Sequence, residues 1–271
     1  MMSISPLSRK QIKSVKLLGK RSERHRQGLF IVEGKKAVQQ VTANRVLSVE
    51  SLILDGELTE KSDFLKKVSI VGSGSDEIQV FSVPSRVFRQ LTDTESTQGV
   101  MAVCRMPAPV NVRTLLSGNG IILTTDHVQD PGNLGTMLRT SVWFGLAGIV
   151  ASPGTVDLFH PKVVRSTAGA TGALPWLESN LPQFLSAATD AGWRVHLLDA
   201  GAGALSYTKV RPTGRDIIVV GNEANGLVSV PADENRLRLR IDPVAETGVE
   251  SLNVSVAAAI ITAHFTAFKP T

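Results

Sequence analysis

The chain has 271 residues, 42% hydrophobic and 20% charged, with a formal net charge of +5. That length exceeds one average domain and fits two, and this much apolar content buries ordinary cores, which excludes wholesale disorder. A single cysteine, Cys104, excludes a disulfide framework and a thiolate metal site, and five histidines without close ligand spacing argue against a structural metal.

The opening "MMSISPLSRKQIK" turns basic with no apolar core behind it, so no secretion signal is expected. "QIKSVKLLGKRSERHRQ" follows as a basic amphipathic helix, with Ile12, Val15 and Leu18 near helical spacing. Next come a strand at "GLFIVEG", a helix at "KKAVQQVTAN", strands at "VESLILD" and "IQVFSV", a capped helix at "PSRVFRQLTD", and a closing strand at "GVMAVCRM". These make a compact α/β unit over residues 1–106, which carries 17 Lys and Arg against 11 Asp and Glu. The remainder carries 12 against 13, so the positive charge sits at the front, with eight basic residues between Arg9 and Arg26. Because phosphate contacts supply most nonspecific nucleic-acid affinity, a basic unit beside a neutral one points to RNA or DNA as partner. Aromatics are scarce at 5%, which weighs against base-stacking platforms.

"PAPVNVRTLLSGNG", rich in Pro, Gly and Asn, reads as a linker over 107–119. From Gly120 to the end at 271, short β-rich runs alternate with helical ones. The strand "GIILTTD" leads to a helix from Gly135, followed by "AGIVAS", a helix near "PKVVRSTAG", and "GALPWL". The helix "PQFLSAATDA" precedes strands at "WRVHLLD", "DIIVVGN" and "RLRLRI", and an apolar helix runs from Leu252. This alternation predicts βαβ units and a mainly parallel sheet, whose ligands belong at the carboxyl ends of its strands. The final segment "LNVSVAAAIITAHFTAF" has 17 residues and includes Asn, Ser, Thr and His, which suits a buried helix better than a membrane span. A cytoplasmic chain is expected.

Three loops carry the chemistry. In "DPGNLGTMLRTSVWFG", Asn133 is placed to cap a helix beginning near Gly135, and Arg139 projects one and a half turns in. A dinucleotide fingerprint is missing, since only Gly132 and Gly135 are present, and no Gly-Lys-Ser/Thr of a phosphate loop follows. That sets aside a nicotinamide-dependent enzyme. In "IIVVGNEANGL", a buried strand ends at Gly221, where a missing side chain lets a flat ligand approach, and Glu223 can orient a hydroxyl or the arginine. In "GVESLNVSVA", Ser251 stands at a cap position, and Asn253 is polar where an apolar residue would suit the helix better.

"NLGTMLRT", "GNEANGL" and "VESLNVSVA" occur in this order and spacing in the SpoU-type (TrmH-like) family of SPOUT methyltransferases, which residues 120–268 closely resemble. The front half, through "GLFIVEGKKAV" and "STQGVMAV", is similar to the substrate-binding domain, itself like ribosomal protein L30e, that many members carry. The resemblance implies an α/β fold with a deep trefoil knot and helices on both sheet faces. It implies transfer of a methyl group from S-adenosylmethionine to a ribose 2′-hydroxyl of RNA, without a metal. The substrate read from it is ribosomal RNA, with transfer RNA, or a catalytically silent RNA-binding protein of the same fold, as alternatives.

Carried over position by position, the cofactor site is Gly221, Ile241 and Leu252, with Leu198, Asp199 and Ala200 as a further wall. Asn133, Arg139, Glu223, Ser251 and Asn253 form the catalytic set. Lys13, Lys16, Lys20, Arg21 and Arg24, with Arg139, are the expected RNA contacts. The same resemblance implies a homodimer in which the arginine of one subunit completes the site of the other.

Overall fold

The computed structural model describes residues 4–44, 46–58, 61–68, 78–199, 201, 203–230, 236–244, 248 and 251–268. The chain divides into two compact units, residues 1–108 with 157–173 and residues 109–156 with 174–271.

The first unit is built on a mixed five-stranded sheet. Its strands are β1 (Ile4–Pro6), β2 (Leu29–Glu33), β3 (Val49–Asp55), β4 (Gln79–Val83) and β5 (Val100–Arg105), in the order β1-β4-β3-β5-β2. The first two pairings, β1 with β4 and β4 with β3, are parallel, whereas β3–β5 and β5–β2 are antiparallel. Helices α1 (Arg9–Leu17), α2 (Arg21–Gln27), α3 (Lys35–Asn44), α4 (Lys61–Lys67) and α5 (Ser85–Leu91) complete it, together with α8 (Pro161–Ser166) from the segment 157–173. Val15, Leu18, Ile53, Phe88, Leu91, Met101 and Val103 form one apolar cluster. Cys104 is buried on β5, and burial pushes its thiol pKa far up, as a core residue rather than a nucleophile.

The basic segment expected to form one helix forms two. After α1, which opens with a reciprocal Ser8–Gln11 capping box, the chain turns at Leu18–Lys20. The carbonyls of Leu18 and Gly19 each accept a hydrogen bond from the Arg24 guanidinium at 2.9 Å. A helix end leaves carbonyls without intrahelical partners, and here Arg24 turns back to satisfy them.

The second unit carries a seven-stranded sheet. Its strands are β6 (Gly120–Thr125), β7 (Gly148–Ala151), β8 (Trp176–Glu178), β9 (Arg194–Leu198), β10 (Leu205–Ser206), β11 (Arg215–Val220) and β12 (Leu237–Arg240), in the order β10-β12-β9-β11-β6-β7-β8. Every pairing in it is parallel, so all the carboxyl ends lie along one edge. β12 enters between β9 and β10, so the chain returns into a gap between two strands already laid down. The expected linker contains a helix, α6 (Val112–Ser117), because Asn111 Oδ1 accepts from the Thr114 N–H at 2.7 Å and caps it.

Leu115 and Leu116 of α6 and Leu181, Phe184, Leu185 and Ala188 of α9 (Leu181–Asp190) pack on one side of the sheet, against Ile122, Val150, Val195, Leu197, Ile217 and Val219. The alternate residues of these strands point the other way, where α7 (Pro131–Trp143) and α10 (Val254–Ala267) pack together. There the His196 ring meets Phe265 of α10 edge-on at 4.9 Å. Helices therefore cover both faces of a parallel sheet, as the family resemblance implies. Among the described residues no helix is long and apolar enough to cross a membrane.

Candidate active site

Helix α7 begins earlier than its sequence suggests. Asp130 is its N-cap, accepting from the Asn133 N–H at 2.8 Å, and Pro131 occupies the first helical position. Asn133 is thus not the cap but sits inside the first turn, and its side-chain amide is free for another task. It donates to Glu223 Oε1 at 2.9 Å, and its own oxygen accepts from Asn253 Nδ2 at 2.9 Å.

A similar exchange of roles occurs at α10. Asn253, rather than Ser251, is the cap, its oxygen accepting from the N–H groups of Ser255 and Val256 and from the Ser255 hydroxyl. Its amide nitrogen, left over by the cap, is the group that reaches Asn133. A single chain of hydrogen bonds, Glu223–Asn133–Asn253, therefore ties the three motifs together. Ser251 is exposed and makes no hydrogen bond to a described residue.

Arg139 lies on α7, exposed, its side chain without an ion pair or hydrogen bond among the described residues. Glu223 and Asn253 both bond to Asn133.

The loop after β11 closes on itself. Asn222 and Gly226 exchange two backbone bonds at 2.7 and 2.9 Å, and Asn222 Oδ1 accepts from the N–H groups of Ala224 and Asn225. A Cβ at Gly221 would lie 2.3 Å from the Gly226 carbonyl carbon, so the glycine is demanded by the loop's own backbone. Gly221 itself is buried, and neither its N–H nor its carbonyl bonds to another described residue. Buried backbone polar groups are almost always paired, so an orphaned pair at a strand end suits a ligand that hydrogen-bonds to backbone.

Three more of the expected cofactor residues lie at the ends of the paired strands β9 and β12. Leu198 ends β9, half-buried, and Ile241 directly follows β12. Asp199 is engaged already: one oxygen accepts from Arg238 Nε at 2.9 Å and Nη2 at 2.5 Å, the other from the Gly201 N–H. Leu252 is 48% exposed, and Ala200 lies outside the described residues.

Sequence reasoning missed the group beneath this loop. Asp126, directly after β6, is fully buried and accepts from the Val228 and Ser229 N–H groups at 2.7 Å each, from the Ser229 hydroxyl at 2.7 Å, and from His127 Nδ1 at 2.8 Å. Burial alone would raise its carboxyl pKa, but the bonds from His127, Ser229 and Val228 outweigh that and hold it below the ordinary value. The available signal was an acid directly after a buried strand in "TTDHVQD", with a histidine beside it.

Of the expected RNA contacts, Lys13, Lys16, Lys20 and Arg21 are exposed. Arg24 is not: it is 1% exposed and bonded to Asp157 Oδ2 through Nε at 3.0 Å and Nη2 at 2.5 Å. Its place on the buried side of α2 and its four bonds make it a structural cation, unable to meet a phosphate. Among the described residues no cluster of three or more His, Cys, Asp or Glu could hold a metal ion.

A match to the SpoU rRNA methylase family model spans residues 120–263, and a match to an MRM3-like substrate-binding domain spans residues 9–102. The chain belongs to the SpoU rRNA methylase family. Over 97% of its length it is 31% identical to 99% of the 23S rRNA (guanosine(2553)-2′-O)-methyltransferase RlmP of Bacillus subtilis (strain 168). A TrmH-family structure from Porphyromonas gingivalis superimposes with a TM-score of 0.76 at 28% identity, covering 96% of this chain and 98% of that one. An AdoMet-bound rRNA methyltransferase from Sinorhizobium meliloti gives 0.78 at 25% identity, covering 96% and 95%. The motifs that carry Asn133, Glu223 and Asn253 all lie within the methylase match.

Proposed function

We propose that this SpoU-family protein methylates a ribose 2′-hydroxyl of ribosomal RNA with S-adenosylmethionine as donor. The observation that carries the reading is the Glu223–Asn133–Asn253 chain, which joins all three motifs at the carboxyl edge of the parallel sheet. The names of the relatives above agree with it, as does the excess of basic residues in the first unit.

The residues present fit that cofactor. The Gly221 backbone, without a hydrogen-bond partner among the described residues, and the apolar Leu198 and Ile241 at the ends of β9 and β12, with Leu252 before α10, offer backbone hydrogen bonds and apolar cover to a nucleoside. When bound, S-adenosylmethionine supplies an electrophilic methyl group on a sulfonium. The chain then has to hold the 2′-oxygen in line and ease the loss of its proton.

Glu223 is the acid in this chain of hydrogen bonds, and Asn133 fixes its oxygen while Asn253 fixes Asn133. A guanidinium is a poor base but a good multiple donor, so Arg139 grips the adjacent phosphate and stabilises developing alkoxide charge rather than taking the proton. Lys13, Lys16, Lys20 and Arg21 bind RNA phosphates through the first unit. Trp143, 83% exposed at the end of α7, and the exposed Leu252 and Val256 near the start of α10 are apolar side chains that a second copy covers in a homodimer, where Arg139 completes the partner's site. The protein works in the cytoplasm.

The test is transfer of label from S-adenosylmethionine to unmodified ribosomal RNA, followed by alkaline digestion. Alkali cleaves RNA through a free 2′-oxygen, so ribose methylation leaves label in uncleaved dinucleotides. Label in mononucleotides would place the methyl on a base and overturn the acceptor.

A further inference from the structure

We infer that Asp126 is a positioning residue that anchors the loop holding both Gly221 and Glu223, and so sets the cofactor site and the acid together. This rests on the functional reading above. The loop from Gly221 to Ser229 is clasped to the β6–α7 connection at two points. Near its start, Asn222 Nδ2 donates to the His127 carbonyl at 2.8 Å. At its end, the Val228 and Ser229 N–H groups and the Ser229 hydroxyl converge on the Asp126 carboxylate.

His127 takes a left-handed backbone, φ 57°, unusual for a residue with a side chain, and its N–H donates to Ser152 Oγ at 2.9 Å. That conformation aims its carbonyl at Asn222 while its ring nitrogen meets Asp126, so both clasps come from two consecutive residues. Strain of this kind persists only where the surroundings enforce it.

The connection that carries the clasp also carries the start of α7. Asp126 lies four residues before the Asp130 cap and seven before Asn133. Fixing the loop to this connection therefore fixes the 2.9 Å contact between Asn133 and Glu223 as well as the placement of the Gly221 backbone. A carboxylate is suited to this point because all four of its neighbours donate; an amide in its place presents N–H to N–H on one side.

The experiment compares Asp126→Asn, Ser229→Ala and Ser229→Thr with the wild type. It reads S-adenosylmethionine affinity by calorimetry, kcat and both KM values with ribosomal RNA, hydrogen exchange of residues 222–229, and the melting midpoint. Asp126→Asn is expected to weaken S-adenosylmethionine binding by about 10-fold or more, as befits loss of hydrogen bonds to a charged group. Its loop amides exchange faster while those of β6 and β11 do not. Ser229→Ala, which keeps the carboxylate, should weaken binding about 3-fold, and Ser229→Thr, which keeps the hydroxyl, should stay within about 2-fold of wild type.

The increase falls on the S-adenosylmethionine KM together with a lower kcat, and the RNA KM is unchanged. A merely structural defect would reduce the active fraction and lower kcat alone. Unchanged affinity and loop exchange in a folded Asp126→Asn, or in Ser229→Ala if the first fails to fold, would overturn the inference. Wild-type protein that binds no S-adenosylmethionine would overturn the functional reading instead, a result the loop exchange does not produce.

Discussion

Replacing Arg24 separates a structural cation from an RNA contact. Arg24→Met keeps much of the side chain's length and apolar stem but removes the guanidinium. It deletes two bonds to Asp157, at 3.0 and 2.5 Å, and two to the carbonyls of Leu18 and Gly19, at 2.9 Å each. Asp157 is left 8% exposed with the Phe159 N–H at 3.0 Å and His25 at 3.8 Å. Removing one partner of a buried pair strands the other charge and costs about 3–5 kcal/mol. For a unit of this size that is a drop in melting midpoint of roughly 6–20 °C.

Asp157→Asn alone should destabilise for the mirror-image reason, and the double variant should recover at least about half of the loss, since matched neutral replacements are often tolerated. The assay is thermal unfolding of the four proteins, joined to RNA binding at several salt concentrations below the lowest midpoint. Stability falls and the salt slope stays. An Arg24→Met protein with an unchanged midpoint and a shallower salt dependence would refute the argument, and would return Arg24 to the phosphate-binding set.

Four further outcomes are expected. Arg139→Ala, at an exposed position without a partner among the described residues, should keep the wild-type midpoint and S-adenosylmethionine affinity while kcat falls about 10²–10³-fold, the usual loss for one charge-stabilising donor. Asn133→Ala breaks the link to both Glu223 and Asn253, so single-turnover methyl transfer should fall about 10–100-fold with cofactor binding retained. Changing Lys13, Lys16, Lys20 and Arg21 together to Gln should flatten the slope of log affinity against log salt by roughly 0.7–0.9 for each phosphate no longer neutralised, with cofactor affinity unaffected. Because the Asp126 carboxyl is held below its ordinary value of 3.8, its contribution is complete above that pH and is lost as the pH falls through the lower native value. S-adenosylmethionine affinity measured from pH 5 to 8 should accordingly show no titration that Asp126→Asn removes.

The parallel sheet was legible because its strands are short apolar runs spaced by helical patterns, and burial on both faces demands that composition. The motif residues were legible as types, but two of their local roles were not. Asn133 and Ser251 each stand at a good cap position, and only the folded chain shows that Asp130 and Asn253 take those positions. A cap is decided by which side chain reaches the free N–H groups, and neighbouring residues in "DPGN" and "SLN" compete for them. Arg24 looks like one more cation in a basic run, since its partner Asp157 lies 133 positions away. Asp126 escapes notice for the same reason, its donors at Val228 and Ser229 being about 100 positions distant. Long-range pairing leaves no local spacing to read.

The membership of residues 157–173 in the first unit reaches back to synthesis on the ribosome. Arg24 and the carbonyls it serves emerge early, but Asp157 and Phe159, which pairs with Phe30 at 5.0 Å, follow far behind. At about 5–20 residues per second, the stretch from 108 to 173 takes roughly 3–13 s to translate. During that interval the nascent amino-terminal unit waits with a core wall missing and a cation lacking its counter-ion. Its five strands are all made by Arg105, yet α8 and the Asp157 carboxylate join them only after the strands β6 and β7 of the other unit have been translated.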